Sequence, residues 1–309
     1  MAQRTLLQLI PGRATSDGAG VKLRRSIGQS SAGLTDPFLM LDEFGTDNPD
    51  DYIAGFPPHP HRGFETVTIM LDGHMRHQDH LGNVGELSGG GVQWMTAGRG
   101  IIHSEMPMQE QGRMRGFQLW INLPAAEKMK PASYRDIPAE QVPKVALAAG
   151  GSARVIAGTL PAALSTDGRA VAGPIQGLST DPLVLDLRLA PGARLELPVA
   201  PTYTATPYVY EGEATFGAAA SGEPAGGGPG GGGKAATVPA GNAALLSPGD
   251  ALTIGAGPAG ASVLLLVARP IGEPIVQYGP FVMNTRAEIE QAIADFQSGT
   301  LASVAAERR

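Results

Sequence analysis

The stretch His59-Pro60-His61-Arg62-Gly63-Phe64-Glu65-Thr66-Val67-Thr68-Ile69-Met70-Leu71-Asp72-Gly73 decides the fold class. From Phe64 to Leu71 β-branched residues recur in alternation, and Asp72-Gly73 behind them reads as a hairpin turn. A second apolar stretch, 116–123, ends at Asn122-Leu123-Pro124, and further strands are expected at 182–189, 202–210 and 262–268. Glycine (43 residues) and proline (26) favour short strands joined by turns over long helices. The charged, Pro-containing segment 127–143 reads as a linker, giving two β domains expected at 1–130 and 131–309.

An internal echo supports duplication. Ser88–Gly98 resembles Ser247–Gly257, each a turn of small residues feeding a strand that ends in Ala-Gly, and Leu71-Asp72-Gly73 has a counterpart in Tyr210-Glu211-Gly212. The Gly-rich tract 217–234 reads as a mobile hairpin extension without a function of its own. Near the C-terminus Thr285-Arg286-Ala287-Glu288 is a capping box, and Ile289, Ala292, Ile293 and Phe296 recur at helical spacing. A short helix over 285–297 is expected to lay that apolar face on a β domain.

Composition excludes several classes of function. With 42% hydrophobic and 17% charged residues among 309, the chain can bury a core through most of its length. A net charge of −6 argues against direct nucleic-acid contact and against an anionic membrane partner. Cysteine is absent, so disulfides and thiolate metal sites are excluded and His and carboxylate remain as the strong ligands. Met1 to Leu6 lacks the apolar core of a secretory signal, and no stretch approaches the roughly 20 apolar residues of a membrane span, so a cytoplasmic location is expected.

All six histidines fall between positions 59 and 103. Residues two apart on a strand point to the same side, so His59 and His61 project together, as do His103 and Glu105. An isolated His-x-His in the Pro-rich run Phe56–His61 would read as a pair of turn histidines; the second pair, behind a Gly-rich turn, reverses that reading. Facing strands could then surround one divalent ion with three nitrogens and one oxygen, a set suited to Fe(II), Mn, Ni, Cu, Zn or Co. A strand in continuous register from His59 would also bring Glu65 to that face as a rival ligand. His74 and His80 read as solvated hairpin residues, whereas His77, on the other face, is a candidate to line the pocket.

Five segments carry a family resemblance: Asp36-Pro37-Phe38 with Leu41-Asp42-Glu43-Phe44, His59–Thr66, Leu81-Gly82-Asn83, Gln93–Glu105 and Tyr278–Thr285. Together they resemble the pirins of the cupin superfamily over nearly the whole chain outside the Gly-rich tract. The resemblance implies an all-β fold, two cupin (jelly-roll-like) β-barrels in tandem with a short C-terminal helix. It implies an iron-type centre, most simply Fe(II), held by His59, His61, His103 and Glu105. The position of Glu65 is not a ligand in the family pattern. The second barrel, with Tyr203 and Tyr208 and no histidine, is expected to bind no metal.

Because some pirins show quercetin 2,3-dioxygenase activity, the resemblance also implies a dioxygenase acting on an aromatic or enol small molecule with O2. Glu105 is then the expected catalytic base. The alternative it implies is a regulatory protein that binds a transcription factor or metabolic enzyme, with the metal as a structural or redox-sensing element. Turnover requires a pocket that reaches the metal; sensing does not.

Overall fold

The structure is a computed structural model that describes residues 2–217, 235–302 and 307–308. Strands dominate, and the helix Arg286–Gln297 follows near the C-terminus. Two compact units are present: Arg13–Gln141 with Ile271–Arg309, and Met1–Gly12 with Val142–Pro270. The boundary expected at 130/131 therefore gives way to an exchange of the two chain ends. The strand Leu6–Pro11 pairs antiparallel with Asn242–Leu246. At the other end Phe281, Met283, Ile289, Ala292 and Leu301 are buried as one cluster, and Arg62 bridges to Phe281 within the His-bearing unit. Pairings of such sequence separation leave no local signal.

In the His-bearing unit one sheet runs, in spatial order, through Arg13–Asp17, Val21–Ile27, Phe38–Thr46, Met114–Asn122, Phe64–Asp72, Val92–Thr96, Ser133–Ile137 and Glu307–Arg308. A smaller sheet orders Phe56–His61, Ile101–Pro107, His74–Asp79 and Val84–Ser88. Val21, Leu23, Phe44 and Met70 of the first sheet bury themselves with Met75 and Leu87 of the second, which is how two half-apolar sheets stabilise one another.

Three local expectations change here. The segment read as a linker holds the strand Ser133–Ile137, which pairs with Val92–Thr96 and buries Ala132, Tyr134 and Ile137. Its charged neighbours mask that alternation. Asp72-Gly73 is a corner rather than a hairpin turn: Gly73, at φ +95°, passes the chain from one sheet to the other, and the strands it joins have different partners. Gly63, at φ +91°, makes the same transfer between Phe56–His61 and Phe64–Asp72, and a Cβ there would lie 2.0 Å from the Val282 carbonyl oxygen. Only glycine fits that turn. The continuous register from His59 that would bring Glu65 to the histidine face is broken at this point.

The second unit is a nine-stranded sheet system in which the long strands Thr204–Phe216 and Ala251–Ala268 pair along most of their length. Glu211-Gly212 is not a turn but an irregularity inside the first of these strands, with Gly212 at φ +66°. In the echoed segments a turn of small residues does feed a strand, Val92–Thr96 and Ala251–Ala268, but the second runs on past Gly257. Val155, Leu185, Leu187, Leu195 and Phe216 anchor an apolar core. The Gly-rich tract from residue 218 to 234 lies outside the described residues.

The helix begins as its sequence dictates. The Thr285 side chain accepts from the Glu288 amide, and the Glu288 carboxylate accepts from the Thr285 amide. It buries Ile289 and Ala292 and leaves Phe296 partly exposed, within the unit that carries the histidines. Among the described residues no helix is long and apolar enough to cross a membrane.

Candidate metal centre

His59 and His61 stand on Phe56–His61, and His103 stands on the neighbouring Ile101–Pro107, directly paired with His59. One ligand atom from each of the three imidazoles lies within 4.8 Å of the others. Two nitrogens at ~2.1 Å from a shared ion are about 3 to 4 Å apart, so small side-chain rotations would close the set. Both nitrogens of His103 are buried without a hydrogen-bond partner, and the buried His61 ring meets only the Pro280 backbone. Burial, reinforced by the adjoining imidazoles, holds the pKa of His61 and His103 well below the ordinary histidine value. Neutral imidazoles with open lone pairs are what a transition metal requires. The Nδ1 of His59 contacts the Pro57 carbonyl at 2.8 Å, which leaves its Nε2 for an ion.

Glu105 is buried on the same strand as His103, after a register shift between them. Its carboxylate stands apart from the three-imidazole group. Oε1 lies 2.8 Å from the Thr68 hydroxyl and Oε2 accepts from Gln118 Nε2 at 3.3 Å. The Thr68 hydroxyl also lies 2.7 Å from Gln118 Oε1, so its single proton serves one of two acceptors.

Thr68 and Gln118 belong to a longer row. Arg25, Asp42, Gln118, Thr68, Gln93 and Asp136 are successive cross-strand partners over six strands of the larger sheet. The Arg25 guanidinium forks onto Asp42 at 2.7 and 2.6 Å and reaches Asp17 at 2.9 Å. Burial pushes the Asp42 carboxyl up, and the guanidinium opposes that. At the other end Gln93 Nε2 donates to Asp136 at 2.7 Å, and Gln93 Oε1 meets His77 Nδ1. Sequence reading missed this row. The available signal was one polar residue inside each of several apolar strands.

A cavity of about 660 Å³ opens onto the centre and is lined by His59, His61, Glu105, Gln118 and the Arg25–Asp42 pair, with Leu23, Phe44, Phe56 and Trp120 as apolar walls. Glu65, the rival ligand, is not in the group; it accepts from Thr96 at 2.7 Å with Lys130 at 4.0 Å, and burial raises its pKa. His77 does not line the cavity. It is buried behind His103, with ring centroids 4.8 Å apart. His74 is half-buried against Glu86 at 3.2 Å, and His80 is exposed.

Residues 20–121 match the Pirin family model and residues 184–302 the Pirin C-terminal cupin domain. A Pseudomonas aeruginosa protein provisionally named a quercetin 2,3-dioxygenase is 51% identical over 97% of this chain and 98% of its own. Human pirin is 37% identical over 93% of this chain and 90% of its own. A crystal structure of quercetin 2,3-dioxygenase from Acinetobacter baumannii superposes with a TM-score of 0.84 at 32% identity, covering 97% of this chain and 99% of that one.

Proposed function

Because the chain belongs to the pirin family, whose domains are cupins, we propose that it is a metal-dependent dioxygenase of the quercetin 2,3-dioxygenase type, opening a flavonol or related enol with O2. His59, His61, His103 and Glu105 are assigned as ligands and Fe(II) as the ion. The observation that carries this reading is the cavity of about 660 Å³ that ends on His59, His61 and Glu105. A regulatory partner that only senses redox state through its metal needs no such volume, so the cavity argues against that alternative.

When bound, the ion supplies Lewis acidity toward the enol hydroxyl and the one-electron chemistry that O2 demands. The remaining work belongs to the chain. Phe44, Phe56 and Trp120 enclose a flat aromatic substrate and exclude water from it. Glu105 takes the enol proton on a carboxylate oxygen, and Thr68 and Gln118 hold that carboxylate in place. Ring opening incorporates both atoms of O2 into the organic product and releases one carbon as carbon monoxide, so no further reductant is consumed.

Oxygen uptake by anaerobically loaded Fe(II) protein tests this, with quercetin and simpler enediols as substrates. Uptake matched by carbon monoxide is expected with the flavonol, and Glu105→Ala should lower kcat by about 10²- to 10⁴-fold with metal retained. Undiminished uptake in His59→Ala or in metal-free protein would refute the assignment. Absence of uptake with every enol would return the chain to a partner-binding role.

A further inference from the structure

His103 differs from His59 in what holds it. The backbone carbonyl of Pro57 meets His59 Nδ1, whereas neither nitrogen of His103 has a partner. A histidine that gives one nitrogen to a metal carries a proton on the other, and that N–H requires an acceptor. We propose, resting on the metal-site reading above, that His77 is the positioning residue for His103: its Nε2 accepts the Nδ1–H of His103 and thereby turns His103 Nε2 to the ion.

The polar row fixes which nitrogen of His77 can accept. Asp136 takes a hydrogen bond from Gln93 Nε2 at 2.7 Å, so the amide of Gln93 must present Oε1 to His77 Nδ1. A carbonyl oxygen only accepts. Neutral His77 therefore bears its proton on Nδ1, and its Nε2 holds the lone pair. That Nε2 is buried and unpartnered, in a ring stacked on Tyr134 at 5.2 Å and packed at 61° to His103. Two rings whose centroids lie 4.8 Å apart thus carry unsatisfied groups of complementary kind, an acceptor on His77 and a nitrogen on His103. His77 is not itself a ligand, since its nitrogens fall outside the group within 4.8 Å. Gly85, paired with His77 across the sheet, completes the arrangement: a Cβ there would lie 2.4 Å from Asp136 Oδ2 and displace it.

Titration of metal-free full-length protein with Co(II) tests the proposal, reading both dissociation constant and visible absorption spectrum. His77→Phe keeps the ring stack and removes the acceptor; Co(II) should bind about 10- to 100-fold more weakly, with an altered ligand-field spectrum. His77→Gln, which restores an acceptor oxygen, should recover most of the loss. Gly85→Ala, which leaves His77 in place, should weaken binding in the same direction and provides the test if His77→Phe does not fold. In a His103→Ala background His77→Phe should cause no additional loss, because its effect passes through His103. Wild-type affinity in both His77→Phe and Gly85→Ala, or a full additional loss in the His103→Ala background, would overturn the assignment of His77 alone. A wild-type protein that takes up no Co(II) would overturn the metal-site reading, and this proposal with it.

Discussion

In the second unit the interior positions are held by Val155, Leu185, Leu187 and Leu197, shut from solvent and packed on one another. In the His-bearing unit comparable burial is given to His61, His103 and Glu105. Both interiors come from antiparallel strands closed against apolar faces, so the fold alone does not select the chemistry. What differs is the polar content of the strands. The second unit does bury Asp186, with Arg154 at 3.4 Å and the Tyr210 hydroxyl donating to it, so that this carboxylate has its partners in place. The His-bearing unit instead leaves imidazole nitrogens without partners. One arrangement stabilises a sheet; the other keeps stabilisation in reserve for a ligand.

The largest expected effect breaks that reserve. His103→Ala should weaken metal binding by more than the roughly 100-fold that follows loss of an outer partner, as read by equilibrium competition with a chelator. Removing metal exposes the other side of the contrast. Each buried, unpaired polar group costs about 1 to 3 kcal/mol, so metal-free His103→Leu should be the more stable protein in denaturant titration. The order should reverse once metal is supplied to the wild type.

Lys128 tests how the His-bearing turn is held. Its Nζ donates to the carbonyls of Gly63 and Val282 and to Asn122 Oδ1, at 2.8, 3.0 and 2.6 Å, and burial pushes its pKa down to about 8. Lys128→Met removes the donor to the Gly63 and Val282 carbonyls, while Asn122 Oδ1 still accepts from the Leu123 amide at 3.0 Å, and should lower unfolding free energy by about 3 kcal/mol. Tyr210→Phe in the second unit should cost a smaller ~1 to 2 kcal/mol and leave metal uptake unchanged; altered uptake would end the division of labour drawn here.

Glu65→Gln is expected to give the smallest change, and it carries a sign. Burial raises the folded pKa of Glu65 above the ordinary 4.5. The unfolded chain therefore loses its proton first as pH rises, and the native state is penalised above that value. The variant should melt a few degrees higher at pH 7, and the difference should close as the pH falls below 4.5. A gap that persists at low pH would assign the effect to packing.

Part of the site was legible because strand alternation places His59 and His61 on one face, and the structure brings His103 beside them. The same rule was less sound for His103 and Glu105, between which the register shifts. Glu65 was a rival ligand only if that alternation ran on through Gly63, where a positive φ moves the chain to another sheet. The segment 127–143 looked like a linker since its Pro and charged residues outnumber the few that Ser133–Ile137 buries. Exchange of the chain ends was invisible for a different reason: the partner of Leu6–Pro11 and the Arg62 bridge to Phe281 lie far along the sequence. The polar row escaped notice because register, not sequence spacing, aligns Arg25 with Asp136.

Metal analysis of anaerobically purified protein reaches the central claim most directly. One transition-metal ion per chain is predicted for the wild type, and none for the variant in which His59, His61 and His103 are all replaced by alanine. An equal ion content in that triple variant, or none in the wild type after loading with Fe(II), would contradict the convergence of the three imidazoles on a shared ion.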